Sequence, residues 1–237
     1  MTRRRWIADE VTNDRAALTG AHAAHLSRTL RARVGQEFEV ACGETVRRGI
    51  IASVSDERVE FELGDEVAAS GSVPITLLLA VFKFDRMEWA IEKCTELNVT
   101  SIVPVIARRT EKHLALAAGK RAERWRRIAR EASEQARRAS PPDIGDPVKL
   151  PAVLDMAADL HIVLAETERE QGLSDILRAR LDSPSLALAV GPEGGWTPEE
   201  LQSFEQAGWI SASLGATILR AETAAIAAVA IARAEID

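Results

Sequence analysis

The sequence predicts an α/β protein in two parts: a small β-rich domain over residues 1–70, and a mainly parallel sheet covered by helices on both faces over residues 74–237. Three observations predict it. Short apolar-alternating runs crowd the first part, a small polar stretch interrupts the chain at 64–74, and strand-like and helix-like runs then alternate to the end.

Taken in order, helical spacing covers residues 19–33, and β-like runs follow at 37–41, 46–54 and 58–63, each bounded by Gly, Ser or Asp. Gly64, Asp65, Gly71, Ser72 and Pro74 punctuate a linker. Residues 75–81 are continuously apolar, as a strand buried on both faces must be. Residues 85–97 read as a helix, with Met87, Ala90, Ile91, Cys94 and Leu97 on one face. Asp85 can cap it and Glu88 can return the bond. Further strands are expected at 101–106, 161–165, 186–190 and 211–214, and further helices at 120–139, 198–207 and 222–236. Ligands of such sheets sit beyond the carboxyl ends of the strands, so the loops after Ala165, Val190 and Leu214 are where chemistry is expected.

Composition excludes several classes. Apolar residues make up 46% of the 237 residues and charged residues 28%, ordinary values for a soluble globular protein. Cys42 and Cys94 lie far apart in no metal spacing, so neither a disulfide framework nor a zinc site is expected, and a reducing cytoplasm is the expected compartment. His22, His25, His113 and His161 form no H-x-x-x-H or H-E-x-x-H pair, and no metal is expected. No apolar run approaches the roughly 18 residues of a membrane span. The start Met1-Thr2-Arg3-Arg4-Arg5-Trp6 is basic, but no apolar stretch follows, which speaks against a signal peptide.

With 30 Lys plus Arg against 36 Asp plus Glu, the net charge of -6 argues against a nucleic-acid partner when read alone. The charge is segregated, however. Residues 1–33 hold seven basic and three acidic residues, residues 120–138 hold eight and three, and residues 150–237 sum to -9. A basic helix is commonly a solvated face with pairs such as Glu123 with Arg127 and Glu134 with Arg138. Two basic segments, one of them an arm that opens with three arginines, fit a phosphate-backbone partner.

The loop Gly191-Pro192-Glu193-Gly194-Gly195-Trp196 follows an apolar run and leads into Thr197-Pro198-Glu199-Glu200, where Thr197 is a good N-cap, Pro198 suits the first helical position and Glu200 closes a capping box. Its glycines let backbone approach a ligand closely. It is neither a P-loop nor the dinucleotide G-x-G-x-x-G, and Glu193 would repel a polyphosphate; a neutral or cationic ligand fits better, unless the loop is a tight turn with no ligand. After Leu214, Arg220 stands between an apolar turn and an Ala-rich helix. It is either paired, with Glu222 or a carbonyl, or turned toward a pocket.

Together these motifs resemble one family. Lys83, Arg86, Glu88, Lys93, Thr95, Glu96 and Leu97 match its K-x-x-R-x-E-x-x-x-x-K-x-T-E-L block, and Glu131, Ala132, Glu134, Gln135 and Arg138 match its E-A-x-E-Q-x-x-R block. Gly191 to Gly195 resembles its G-P-E-G-G loop, and Leu214 to Ala224 resembles its L-G-x-x-I-L-R-x-E-T-A signature. Near the N-terminus, His25, Leu30, Arg31 and Gly35 follow its H-x-x-x-V-L-R-x-x-x-G-D pattern. The family is that of the small-subunit ribosomal RNA uridine-N3 methyltransferases, of the SPOUT class. Asn98 stands where the family usually has Gly, Gln36 where it has Asp, and Ala41-Cys42-Gly43 replaces an Asp-Gly turn.

The resemblance implies a PUA-like β-barrel domain over residues 1–70 that binds RNA, and a SPOUT methyltransferase domain over residues 74–237 with a C-terminal trefoil knot. It implies a homodimer that binds S-adenosylmethionine and methylates a uridine of 16S ribosomal RNA in the small subunit, with no membrane and no metal. The residues carried over to the cofactor are Leu164, Ala165, Glu166, Val190, Gly191, Pro192, Glu193, Gly194, Gly195, Leu214, Gly215, Ile218, Leu219, Arg220 and Thr223. Arg220 is expected to stabilise charge on the uracil carbonyl, and Glu222 or Glu166 to take its proton. Arg3, Arg4, Arg5, Arg28, Arg31, Arg33, Arg124, Arg127 and Arg138 are expected to grip RNA. Two other readings remain open: a non-enzymatic RNA-binding protein, and an enzyme of the same class that acts on another base or on transfer RNA.

Overall fold

A computed structural model describes residues 5–43, 45–67, 72–180 and 182–236, so Arg3 and Arg4 lie outside the described residues. The chain divides into two units: Met1–Gly71 with Ser133–Pro141, and Ser72–Ala132 with Pro142–Asp237.

In the first unit, β1 (Arg5–Ile7), β2 (Glu10–Val11) and β3 (Arg15–Thr19) lead into α1 (Gly20–Ala24) and a π-helical turn, His25–Thr29; β4 (Glu37–Cys42), β5 (Thr45–Val54) and β6 (Arg58–Val67) follow. They form one sheet in the order β1-β4-β5-β6-β3-β2, antiparallel except for β1 on β4. Trp6, Leu18, Leu26, Val40, Ile51, Val59 and Phe61 fill its core. The expected linker begins later than the sequence indicates. β6 runs on to Val67, because the Arg47 guanidinium donates to the carbonyls of Gly64 (2.9 Å) and Leu63 (3.3 Å) and Val46 pairs with Val67. Three carboxylate contacts also hold this unit: His22 lies 3.2 Å from Asp9 and 3.5 Å from Glu134, and Arg5 pairs with Glu39 at 2.9 Å.

The second unit holds β7 (Ile75–Ala80), α2 (Phe84–Glu96), β8 (Ser101–Ile106), α3 (Lys112–Ala117), α4 (Ala122–Gln135, whose last residues count with the first unit), β9 (Asp143–Ile144), β10 (Val148–Lys149), β11 (Leu160–Leu164), α5 (Leu173–Arg178), β12 (Leu186–Val190), α6 (Pro198–Gln206), β13 (Ile210–Ala212) and α7 (Ala221–Ile236). Its sheet runs β10-β8-β7-β12-β11-β13, with β9 on β8, and every pairing is parallel.

Side-chain alternation then builds two cores. Leu77, Leu79, Ile162, Leu188 and Val190 pack with residues of α2, α4, α5 and α7, among them the fully buried Trp125. Leu78, Ala80, Val163, Ala187 and Ala189 pack with Trp196, Phe204 and Trp209. Each large apolar side chain so buried contributes about 1.5–3 kcal/mol. Among the described residues no helix is long and apolar enough to cross a membrane.

The start of α2 corrects the capping expectation. The helix begins at Phe84 with Lys83 before it, so Asp85 sits inside the first turn, where its charge suits the helix dipole but its side chain makes no cap bond. Glu88 turns instead to Arg124 (2.7 Å) and Arg121 (3.6 Å). On α4, Glu123 reaches Arg126 (3.7 Å) and Arg127 reaches Glu131 (4.0 Å), in place of Glu123 with Arg127.

Asn98, one of the departures from the family pattern, has φ +63, the left-handed region that Gly visits freely and Asn tolerates best among the other residues. The carbonyls of Leu97 and Asn98 and that of Val73 all accept from Arg233 of α7, which fixes the end of α2. Both Asn98→Gly and Asn98→Ala lose the side-chain bond to Ser72. In urea denaturation the Gly variant is expected to be more stable than the Ala variant by about 1 kcal/mol, since only Ala keeps the left-handed penalty; equal stability would contradict this reading.

Candidate active site

Every residue of β12 is buried, and the strand ends at Val190. The chain must then turn into α6, and the turn is the glycine-rich loop 191–197. Gly195 has φ +69, and a β-carbon there would lie 2.9 Å from Glu166 Oε1, so the loop packs directly against the loop after β11. Trp196 plants the loop in the core: its ring lies 5.0 Å from Phe204, which lies 5.0 Å from Trp209.

The expected capping box forms. Thr197 Oγ1 accepts from the N–H of Glu200 at 3.3 Å, and Glu200 Oε2 accepts from the N–H of Thr197 at 2.9 Å. Glu200 is 4% exposed, and its other oxygen accepts from the N–H of Arg108 at 2.8 Å. One buried carboxylate thus joins the loop after β12 to the loop after β8. Arg109 adds a second tie through Nη1, which donates to the carbonyls of Gly194 (2.5 Å) and Trp196 (3.2 Å). Glu193 Oε1 accepts from the N–H of Lys83 at the start of α2, 3.4 Å away.

Beyond the ends of β11, β12 and β13 lies a cavity of about 290 Å³. It is near the lower limit of small-molecule sites. Of the residues carried over to a cofactor, Leu164, Ala165, Glu166, Val190, Gly191, Pro192, Glu193, Gly195, Leu214, Gly215, Ile218 and Leu219 line it. Gly194, Arg220, Glu222 and Thr223 are not in its lining. Gly194 instead offers its carbonyl to Arg109. Arg220 is exposed, between Leu219 and Ala221, which both line the cavity. Glu222 is 4% exposed, and its Oε1 pairs with Arg86 Nη1 of α2 at 2.7 Å. That ion pair replaces the pairing of Arg220 with Glu222 that the sequence allowed.

Arg109, Thr167, Arg169 and Trp196 also line the cavity and were not singled out by sequence. Arg109 follows β8, so the rule that points to the carboxyl ends of strands reaches it once it is applied to that strand as well. Arg169 lies four residues beyond Ala165, just past the residues matched to the family loop.

The arginines expected to grip RNA divide between the units. Arg5, Arg28, Arg31, Arg33 and Arg138 belong to the first, and Arg124 and Arg127 to the second. Arg5 pairs with Glu39 and also donates to the carbonyl of Arg137. Arg28 pairs with Asp56 at 2.8 Å, Arg124 with Glu88, and Arg127 with Glu131. The guanidinium of Arg28 and the hydroxyl of Ser27 hold the Asp56 carboxyl below the usual carboxylate range. The side chains of Arg31 and Arg33 are exposed and have no ion-pair or hydrogen-bond partner among the described residues.

Comparison with known proteins converges on one description. A family model for an RNA methyltransferase domain matches residues 69–233. The chain is 30% identical over 219 residues to the ribosomal RNA small subunit methyltransferase E of Bacillus subtilis, covering 88% of this chain and 85% of the relative. The crystal structure of the protein of that name from Neisseria gonorrhoeae, bound to S-adenosylmethionine, superposes with a TM-score of 0.84 at 30% identity over 96% of this chain and 95% of that one. A putative methyltransferase from Legionella pneumophila, also in complex with S-adenosylmethionine, gives a TM-score of 0.84 at 26% identity over 99% and 98%.

The double role of Glu200 is testable without any ligand. Glu200→Ala leaves the N–H groups of Thr197 and Arg108 without their acceptor, and thermal or urea unfolding is expected to show a loss of about 1–3 kcal/mol. A change below about 0.5 kcal/mol, the usual range for surface positions, would show that the carboxylate does not hold the loops.

Proposed function

The chain belongs to the ribosomal RNA small subunit methyltransferase E family, and from that premise we propose that it methylates N3 of a uridine in 16S ribosomal RNA of the small subunit, using S-adenosylmethionine. The observation that carries this reading is the convergence of the loops after β11, β12 and β13 on one cavity whose lining is mostly apolar and holds the carboxylates Glu166 and Glu193.

The residues present fit the cofactor. Gly191 and Gly195 keep backbone close to the cavity, and a β-carbon at either would crowd Trp196 or Glu166. Ile218 and Leu219 would form the apolar wall for adenine; both line the cavity, and Ile218 is 77% exposed. Glu166 and Glu193 suit a ligand that carries positive charge. When bound, S-adenosylmethionine supplies a methyl group on a sulfonium, an activated leaving group. The chain's own work is then alignment of the uracil, which can be worth roughly 7–11 kcal/mol, and management of one proton.

Uracil N3 carries that proton at neutral pH. Of the two carboxylates the sequence offers as its acceptor, Glu166 is exposed in the cavity lining, while Glu222 is buried and committed to Arg86. Glu166 is therefore the better base, and Glu222 holds the start of α7 against α2. Arg220 is exposed, follows the lining residue Leu219, and has no side-chain partner among the described residues, so its guanidinium is available to the uracil oxygen that gains charge.

The same reading extends to the architecture. β13 pairs with β11, on the side away from β12, and α7 then returns to contact β12; this connection supports a trefoil knot. The six-stranded sheet of the first unit supports a PUA-like barrel that meets RNA. Half-buried Ile226, Ala227, Ala230 and Ile231 along α7 support a homodimer. Arg31 and Arg33 would meet phosphates first, while Arg5, Arg28, Arg124 and Arg127 would exchange a carboxylate for a phosphate.

Isothermal titration with S-adenosylmethionine is expected to show one site per chain, and absence of binding would sink the reading. With cofactor affinity unchanged, Arg220→Ala is expected to lower kcat for methyl transfer by about 100-fold, the scale of losing one charge-stabilising donor. Full turnover in that variant would remove Arg220 from the chemistry.

A further inference from the structure

Two arginines line the cavity, and the structure treats them differently. Arg109 is spent on carbonyls of the glycine-rich loop. Arg169 is exposed, and among the described residues its guanidinium has neither a hydrogen-bond nor an ion-pair partner.

The turn that carries Arg169 is nonetheless firmly built. Glu168 Oε1 accepts from the N–H groups of Arg169 (2.9 Å), Glu170 (2.7 Å) and Gln171 (3.1 Å). These bonds, led by that from Glu170, hold the Glu168 carboxyl below the usual carboxylate range. The N–H of Glu168 returns to the carbonyl of Ala165 at 3.1 Å. On the far side, the N–H of Ser213 donates to Gln171 at 2.8 Å and the N–H of Leu173 donates to Ser213 at 3.0 Å, which ties the turn to the loop after β13. A backbone fixed at both ends therefore presents a guanidinium that the fold itself does not use.

We propose that Arg169 binds a phosphodiester of the RNA strand next to the target nucleotide, at the lip of the cavity. The proposal rests on the methyltransferase reading above. A base that enters the cavity must leave its stack, and it brings its own flanking phosphates to the entrance. The planar fork of an arginine matches phosphate oxygens bidentately. The carboxylates Glu166 and Glu193 share the lining, so an added cation there also offsets the repulsion they exert on the RNA backbone.

The test measures two affinities in the full-length chain and in Arg169→Ala: S-adenosylmethionine by titration calorimetry, and a 16S ribosomal RNA fragment or small subunit by filter binding across a salt series. Arg169→Ala is expected to bind RNA more weakly, and its slope of log K against log salt is expected to be shallower by roughly 0.7–0.9, the contribution of one phosphate contact. Arg169→Lys is expected to keep most of the slope, because the charge remains. An unchanged RNA affinity and slope in Arg169→Ala would overturn the proposal, as would a loss confined to cofactor affinity, which would assign the guanidinium to the carboxylate of the cofactor. Failure of the unaltered chain to bind S-adenosylmethionine is a separate result, and would remove the methyltransferase reading itself.

Discussion

The site depends on β12. This strand is apolar at all five positions and buried at all five, paired in parallel with β7 on one side and β11 on the other. Because every pairing in the sheet is parallel, the carboxyl ends of its strands lie on one side. Because β13 adds to β11, the loops after β11, β12 and β13 come from three neighbouring strands. A strand sealed on both faces can offer a ligand only its end. There the chain turns through glycines, is anchored in the core by Trp196, and is held in place by Glu200 and Arg109 from either side of the turn. The cavity is the space this arrangement leaves.

Much of this is legible in the residues, and the exceptions have physical causes. The apolar runs at 101–106 and 186–190 are strands at those very limits. The Thr197 and Glu200 capping box is a local pattern and forms as read. The strands β1 to β3 and the helices α3 and α5 have two to six residues each, too few for a period to show. Asp85 and Glu88 have the spacing of a capping box, yet Arg124, 36 residues on, takes Glu88 out of it. The pairing of Arg86 with Glu222 spans 136 positions and leaves no local trace. Asn98 works in the opposite direction: a departure from the family's glycine is explained by the one property, tolerance of positive φ, that Asn shares with it.

The net charge of -6 is likewise a sum over unlike parts. Several of the basic residues that stood out as RNA grips are neutralised locally, by Glu39, Asp56, Glu88 and Glu131. Such contacts are not obstacles to binding. The Arg28–Asp56 and Arg127–Glu131 pairs lie between exposed side chains, are worth about 0–1 kcal/mol and can be given up for a phosphate at little cost, whereas Arg5–Glu39 and the Glu88 side of its pair with Arg124 are partly buried. Arg31, Arg33, Arg169 and Arg220 need no exchange; Arg169 lines the cavity, and Arg220 lies between its lining residues Leu219 and Ala221.

The role proposed for the three loops is methyl transfer to a uridine N3 of small-subunit ribosomal RNA. The most direct measurement is mass-spectrometric mapping of modified nucleosides in 16S ribosomal RNA and transfer RNA from cells with and without the gene, and from the deletion strain that expresses the chain again. With that role, one N3-methyluridine of 16S ribosomal RNA is expected to disappear in the deletion and to return on complementation. An unchanged methylation pattern, or loss of a methyl group from another base or from transfer RNA, would contradict it.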